Sequence, residues 1–353
     1  MGMDVDPVSG GLSPKRGYLT DKILNMEELQ SDQMPHCHIK EYNTLIDSSS
    51  MGKEEWGMIA RDIQENYYDF DGFVVIMGTD TMSYAATALS FMLENLGKTV
   101  VFTGSQIPFI EVYNDARRNL IASIIFAGNQ DFCEVVLFFN AKLLRGNRSV
   151  KVNSFGLDAF DCPNFPPLAE LGVNVELRKD IALPPPHGPF RIFTKMETGI
   201  VVMKLIPKFD DEPLRQLVMH SEKIKAIILE MYGTGNISDS DDKTSLLNVI
   251  ELARKRNIIV VAVSQCYKGS VMLGKYAVGS ELITLDVCSG GDMTTESVSI
   301  KLAYLLAKVG NDREKINRLM EVNLRGELSD STKYEAGIFH SHGSGISNSV
   351  SKL

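Results

Sequence analysis

The sequence contains no C-x-x-C pair, no apolar run approaching the ~18 residues of a membrane span, and a single tryptophan. The missing C-x-x-C removes zinc ribbons and thioredoxin-type redox sites from consideration. Its cysteines, Cys37, Cys133, Cys162, Cys266 and Cys288, are scattered and odd in number, which suits free thiols in a reducing compartment and small buried side chains. The start, MGMDVDPVSGG, lacks the basic-then-apolar order of a signal peptide. Positive charge is in deficit: 36 Lys and Arg stand against 45 Asp and Glu, for a net charge of −9 and a pI near 5.3. An acidic surface repels phosphate backbones, so neither nucleic acid nor membrane is expected as a partner. "GTGNIS" at 233–238 is not a G-x-G-x-x-G, so no dinucleotide site is expected. Histidine is sparse, at 6 residues. His36 and His38 flank Cys37, but nothing completes a set of metal ligands, and both read as surface residues. No internal repeat is present.

What is present is a chain of 353 residues, 44% hydrophobic and 23% charged, as expected of a soluble globular protein with room for two domains. Short, nearly continuous apolar runs recur: "FVVIM" at 73–77, "TVVFTG" at 99–104, "EVVLFF" at 134–139, "GIVVMKLI" at 199–206, "AIILEMYG" at 226–233 and "IIVVAVSQC" at 258–266. Strands covered on both faces read this way. Helical periodicity lies between them. In the first such stretch Ala85, Leu89, Met92, Leu93 and Leu96 form one stripe, and similar patterns fall at 114–127, 243–256 and 294–308. Alternating strand and helix predicts an α/β protein with mostly parallel sheets. "LPPPHGP" at 183–189 breaks every element. The predicted organisation is a larger N-terminal domain at 1–182, a linker at 183–199, a smaller C-terminal domain at 200–330 and a disordered tail at 331–353.

The most informative stretch is "MGTDTM" at 77–82, where a strand stops at a glycine and a Thr-Asp pair follows. Ligands of open parallel sheets bind at the carboxyl ends of strands. Thr79 and Asp80 either face that crevice or cap the following helix. Other strand ends offer related groups: "TGSQIP" at 103–108, "DSSSM" at 47–51 after the alternating stretch "IKEYNTLI", and "RGNRSVKV" at 145–152, which contains Lys151. Hydroxyls, a carboxylate and an amine so placed could bind a small zwitterion. Hydroxyls and backbone N–H groups would take its carboxylate, and Asp80 its ammonium. A lysine whose pKa was lowered by burial could accept a proton from a threonine hydroxyl, with no histidine required.

The segments "MGTDTM", "LSFMLENL", "TGSQIP", "LLRGNRSVK", "YGTGN" (232–236), "GGDMTTE" (290–296) and "NLRGEL" (323–328) occur in an order that resembles the type I, cytosolic-type L-asparaginases, over residues 1 to about 330. The resemblance implies an asparaginase-like fold of two α/β domains and an amidohydrolase converting L-asparagine to L-aspartate and ammonia. It implies no cofactor, and assembly as a homodimer or a dimer of dimers. Thr79, Asp80 and Lys151 match the Thr-Asp-Lys half of the catalytic set. Tyr18 matches the tyrosine after a mobile lid, and "DVDPVSGGLSPKRGYLT" has that lid's composition. Asp47, Ser48 and Ser49 match the loop that holds the substrate carboxylate, with Ser105 and Gln106 lining the pocket and Asn236 acting near a subunit boundary. The family's effector segment before "YGTGN" reads Glu230-Met231 here and is not carried over.

The family's T-G-G-T-I-G-M pattern ends a first strand with the nucleophilic threonine; Met1-Gly2-Met3 matches only its last letters. A start at an internal methionine is the expected cause, and the chain beginning at Met1 is expected to be inactive without that threonine. The alternatives are a non-catalytic binding relative and the asparaginase-like subunit of a glutamine-dependent tRNA amidotransferase. The latter normally carries an added N-terminal domain and a basic surface. Ser351-Lys352-Leu353 matches the peroxisomal import tripeptide, so a eukaryotic host predicts peroxisomal localisation and any other host the cytoplasm.

Overall fold

The computed structural model describes residues 1–8, 10–129, 132–238, 245–274 and 277–329; the expected tail and its Ser351-Lys352-Leu353 lie outside them. Two sheets organise the chain. The first has six strands, in the order Val175–Leu177, Ala169–Leu171, Lys142–Arg145, Val135–Phe139, Val100–Thr103, Phe73–Ile76. Only its last three strands are mutually parallel, and the others pair antiparallel. The expectation of mostly parallel strands holds across the two sheets together, with the antiparallel pairs confined to one side of the first. Lys142–Arg145 returns directly beside Val135–Phe139 through Asn140 and Ala141, both at positive φ, and so tight a turn can only join antiparallel neighbours. The second sheet is parallel throughout: Ile200–Lys204, Ala226–Met231, Ile259–Ser264 and Cys288–Ser289.

The six apolar runs read from sequence all appear as strands of these two sheets. "IKEYNTLI" does not: residues 39–46 form no strand despite their alternation. Period-two patterning makes a strand only where a neighbour accepts its hydrogen bonds. Here Ile39 instead packs beside Met1 and Ile23, and Tyr42 packs on the main core. The stretch compared with a lid forms a two-stranded hairpin, Met3–Val5 with Leu12–Pro14.

The helix Met82–Met92 was expected to be amphipathic, yet every residue in it except Tyr84 is buried. It is held between the first sheet and the helix Thr295–Val309, so both faces meet apolar side chains. A single cluster, including Phe91, Phe102, Leu137, Ile228, Val261 and Leu302, thereby joins the two sheets. Cys162 and Cys288 sit in this cluster as expected, but Cys37 and Cys266 are exposed. His36 and His38 are exposed as well.

Candidate active site

The strand Phe73–Ile76 delivers Gly78, Thr79 and Asp80 to the carboxyl end of the parallel strands. The helix that follows has Thr81 as its N-cap and no side-chain capping bond. Thr79 and Asp80 are thus free of capping duty and face Lys151 instead. Lys151 Nζ donates to Thr79 Oγ1 at 2.8 Å and to Asp80 Oδ1 at 2.6 Å. The Thr79 hydroxyl in turn donates to Gln106 Oε1 at 3.2 Å, and Gln106 Nε2 donates to the Gly156 carbonyl at 3.2 Å. The lysine side chain is 18% exposed and that of Asp80 68%, so the pair is dry on the lysine side and open to a ligand on the carboxylate side.

The turn Ser48–Ser50 packs against Gly78 and Thr81, the residues on either side of Thr79 and Asp80. Thr81 Oγ1 donates to the Ser48 carbonyl at 2.6 Å. Gly78 lies so close beneath that a Cβ there would meet Ser48 Oγ at 2.6 Å. Asp47 caps the turn, accepting from the Ser49 hydroxyl at 2.6 Å and the Ser49 amide at 2.9 Å. The hydroxyl bond, and then the amide bond, hold the Asp47 carboxyl below the usual carboxylate range. The loop after Val100–Thr103 closes another side. Asp115 accepts from the amides of Gln106 at 3.1 Å and Ile107 at 2.9 Å, and Asn119 Nδ2 donates to the Gly104 carbonyl at 3.0 Å. Within this loop the Ser105 hydroxyl is buried and has no hydrogen-bond partner. A buried polar group left so is one that a ligand can satisfy.

Thr79, Asp80, Lys151 and Gln106 are therefore joined by hydrogen bonds, with Ser48 against Gly78 and Thr81. Tyr18 stands apart: it opens the helix Tyr18–Leu24 with Lys22 over its ring at 5.5 Å. Among the described residues no hydrogen bond links it to Thr79, Asp80 or Lys151. Asn236 bridges Tyr232 beyond the strand Ala226–Met231 and likewise makes no hydrogen bond to that group. Sequence reasoning missed Asp115 and Asn119, which shape the site through backbone atoms and leave no motif. No group of three His, Cys, Asp or Glu side chains among the described residues could hold a metal ion.

Residues 1–183 match the family model "Asparaginase, N-terminal", and residues 199–320 match "Glutaminase/Asparaginase C-terminal domain". The chain belongs to the asparaginase family. It is 42% identical to L-asparaginase 1 of Escherichia coli K12 over 321 residues, covering 90% of this chain and 93% of that relative. The structure of L-asparaginase I from Vibrio cholerae superposes with a TM-score of 0.84 at 38% identity, over 93% of this chain and 95% of that one. The thermostable L-asparaginase of Thermococcus kodakarensis gives 0.81 at 32% identity, over 94% and 96%.

Proposed function

We propose that the protein hydrolyses the side-chain amide of L-asparagine to L-aspartate and ammonia by acyl transfer to a threonine hydroxyl. The observation that supports this reading is the Lys151–Thr79 contact of 2.8 Å with Asp80 beside it. Ser48 and Ser49 receive the substrate's α-carboxylate, and the exposed oxygen of Asp80 its ammonium. As the oxygen of the family's nucleophilic threonine, which is none of the site residues placed above, adds to the amide carbon, its proton passes through Thr79 to the Lys151 nitrogen and then to the departing amine, which leaves as ammonia. Water cleaves the resulting ester with the same relay run in reverse, so the enzyme is regenerated and no cofactor is consumed. Asn236 makes no hydrogen bond to Thr79, Asp80 or Lys151, which favours a second copy supplying it, as in a homodimer or a dimer of dimers.

The test is ammonia release with and without a T-G-G-T strand supplied ahead of Met1: turnover is expected only with it, and the variants below are measured in that active form. Thr79→Ala, Asp80→Ala and Lys151→Ala should each lower turnover at least ~100-fold with little change in melting temperature. Near-parental turnover in Lys151→Ala would remove the lysine from proton transfer. An uncharged amide should be a poor substrate, because the buried polar groups of the site would be left unpaired. Localisation is a separate proposal resting on Ser351-Lys352-Leu353. A fluorescent protein carrying residues 331–353 should enter peroxisomes only with Leu353 intact.

A further inference from the structure

The hairpin that carries Lys151 is supported from the second sheet's side of the molecule at both of its ends. Upstream is the turn Gly146–Arg148, in which Arg148 is 2% exposed. Arg148 Nη1 donates to Asp292 Oδ2 at 2.8 Å, its Nε to the Gly326 carbonyl at 2.8 Å and its Nη2 to Ser329 Oγ at 3.0 Å. The second oxygen of Asp292 accepts from the Ser329 amide at 2.9 Å. Each guanidinium nitrogen and each carboxylate oxygen of this buried ion pair has a hydrogen-bond partner, which makes it stiff.

Downstream, Val150–Lys151 pairs with Phe160–Asp161, with Lys151 opposite Phe160 and Val150 opposite Asp161. Asp161 Oδ2 accepts from the Tyr267 hydroxyl at 2.7 Å. Three residues on, Asn164 Nδ2 donates to the carbonyls of Gly269 at 2.9 Å and Asp292 at 3.0 Å, while its Oδ1 accepts from the Gly269 amide at 2.8 Å. Two-residue strands hold little structure by themselves, and lysine is a flexible four-carbon stem. The supports at residues 148, 161 and 164 hold the backbone on both sides of Lys151.

We propose that Arg148, Asp161, Tyr267 and Asp292 are positioning residues, through which the loops of the second sheet set the distance between Lys151 and Thr79. This rests on the reading of Lys151 as the proton-transfer group. Among the described residues no hydrogen bond or ion pair links any of the four to Thr79 or Asp80; they act through the backbone that carries Lys151. Displacement of the Tyr267 loop would therefore lower the rate of the chemical step without weakening substrate binding.

The experiment is a set of kcat and KM measurements with L-asparagine on the protein carrying the T-G-G-T strand ahead of Met1. Tyr267 is 49% exposed, so Tyr267→Phe removes one hydroxyl and spares the fold, which thermal melting checks. Tyr267→Phe should lower kcat about 3- to 10-fold with KM changed less than about twofold. Arg148→Lys keeps the charge but loses the fork of donors, and should lower kcat about 10- to 100-fold. In a Lys151→Ala background, Tyr267→Phe should cost nothing further, because the group it positions is gone. An unchanged kcat in Tyr267→Phe, or an equal fractional loss with and without Lys151, overturns the proposal. Near-parental turnover in Lys151→Ala alone sinks instead the reading on which it rests, so the two failures are told apart.

Discussion

Gly78 shows how a single missing Cβ shapes the candidate site. A methyl group there would lie 2.6 Å from Ser48 Oγ and 2.9 Å from Ser48 Cβ, inside any allowed contact. The turn Ser48–Ser50 would have to lift, breaking the 2.6 Å bond from Thr81 to the Ser48 carbonyl. Gly78→Ala should therefore raise KM for L-asparagine by about 10-fold or more, and cost about 1–3 kcal/mol of stability as overpacking does. Steady-state kinetics and denaturant unfolding would measure both, and a variant with parental KM would show that the turn does not hold substrate. At this scale much was legible in advance. Thr79, Asp80 and Lys151 could be grouped because each follows or ends an apolar run, which marks a strand end. The support of Lys151 was not legible, because Arg148 and Asp292 are 144 positions apart and no local pattern records such a pair.

The element that joins the halves of the molecule is the helix Met82–Met92. Phe91 in it is fully buried and lies 5.5 Å from the Tyr304 ring of the helix Thr295–Val309. Phe91→Ala leaves a cavity between two rigid helices and a sheet, with little room to relax. It should destabilise the protein by about 3–5 kcal/mol. Urea unfolding with an unchanged slope is the measurement, and a loss below about 1 kcal/mol would show a looser junction. The periodicity of this helix was visible in sequence, but not its burial on all sides, since that depends on which helix crosses it. Strands divided similarly. Continuous Val- and Ile-rich runs announced themselves, whereas Val150–Lys151, Phe160–Asp161, Leu93–Glu94 and Arg191–Ile192 are two residues each and too short to carry a period.

Across the whole molecule, Glu94 ties three segments together. It lies in the strand Leu93–Glu94 just after the helix Met82–Met92, accepts from Arg191 Nε at 2.5 Å and from the Tyr304 hydroxyl at 2.5 Å, and is paired with Lys308. Arg191 belongs to the segment between the two sheets, and Tyr304 and Lys308 to the helix that covers the second. Burial alone would raise the Glu94 pKa, but the bonds from Lys308, Tyr304 and Arg191 outweigh it and bring it down from 4.5 to about 2. A carboxyl depressed on folding contributes stability that is complete above its unfolded pKa and is lost as pH falls toward the folded value. The window is therefore from pH 4.5 down to about 2, and the stability at stake is on the order of 3 kcal/mol. Glu94→Gln should melt at a lower temperature than the parent at neutral pH, since Lys308 loses its partner in a mostly dry site. As pH falls through that window the parent should lose stability faster, and the gap between the two should narrow. Melting curves that stay parallel from pH 7 to pH 2 would mean that Glu94 does not hold the halves together through its charge.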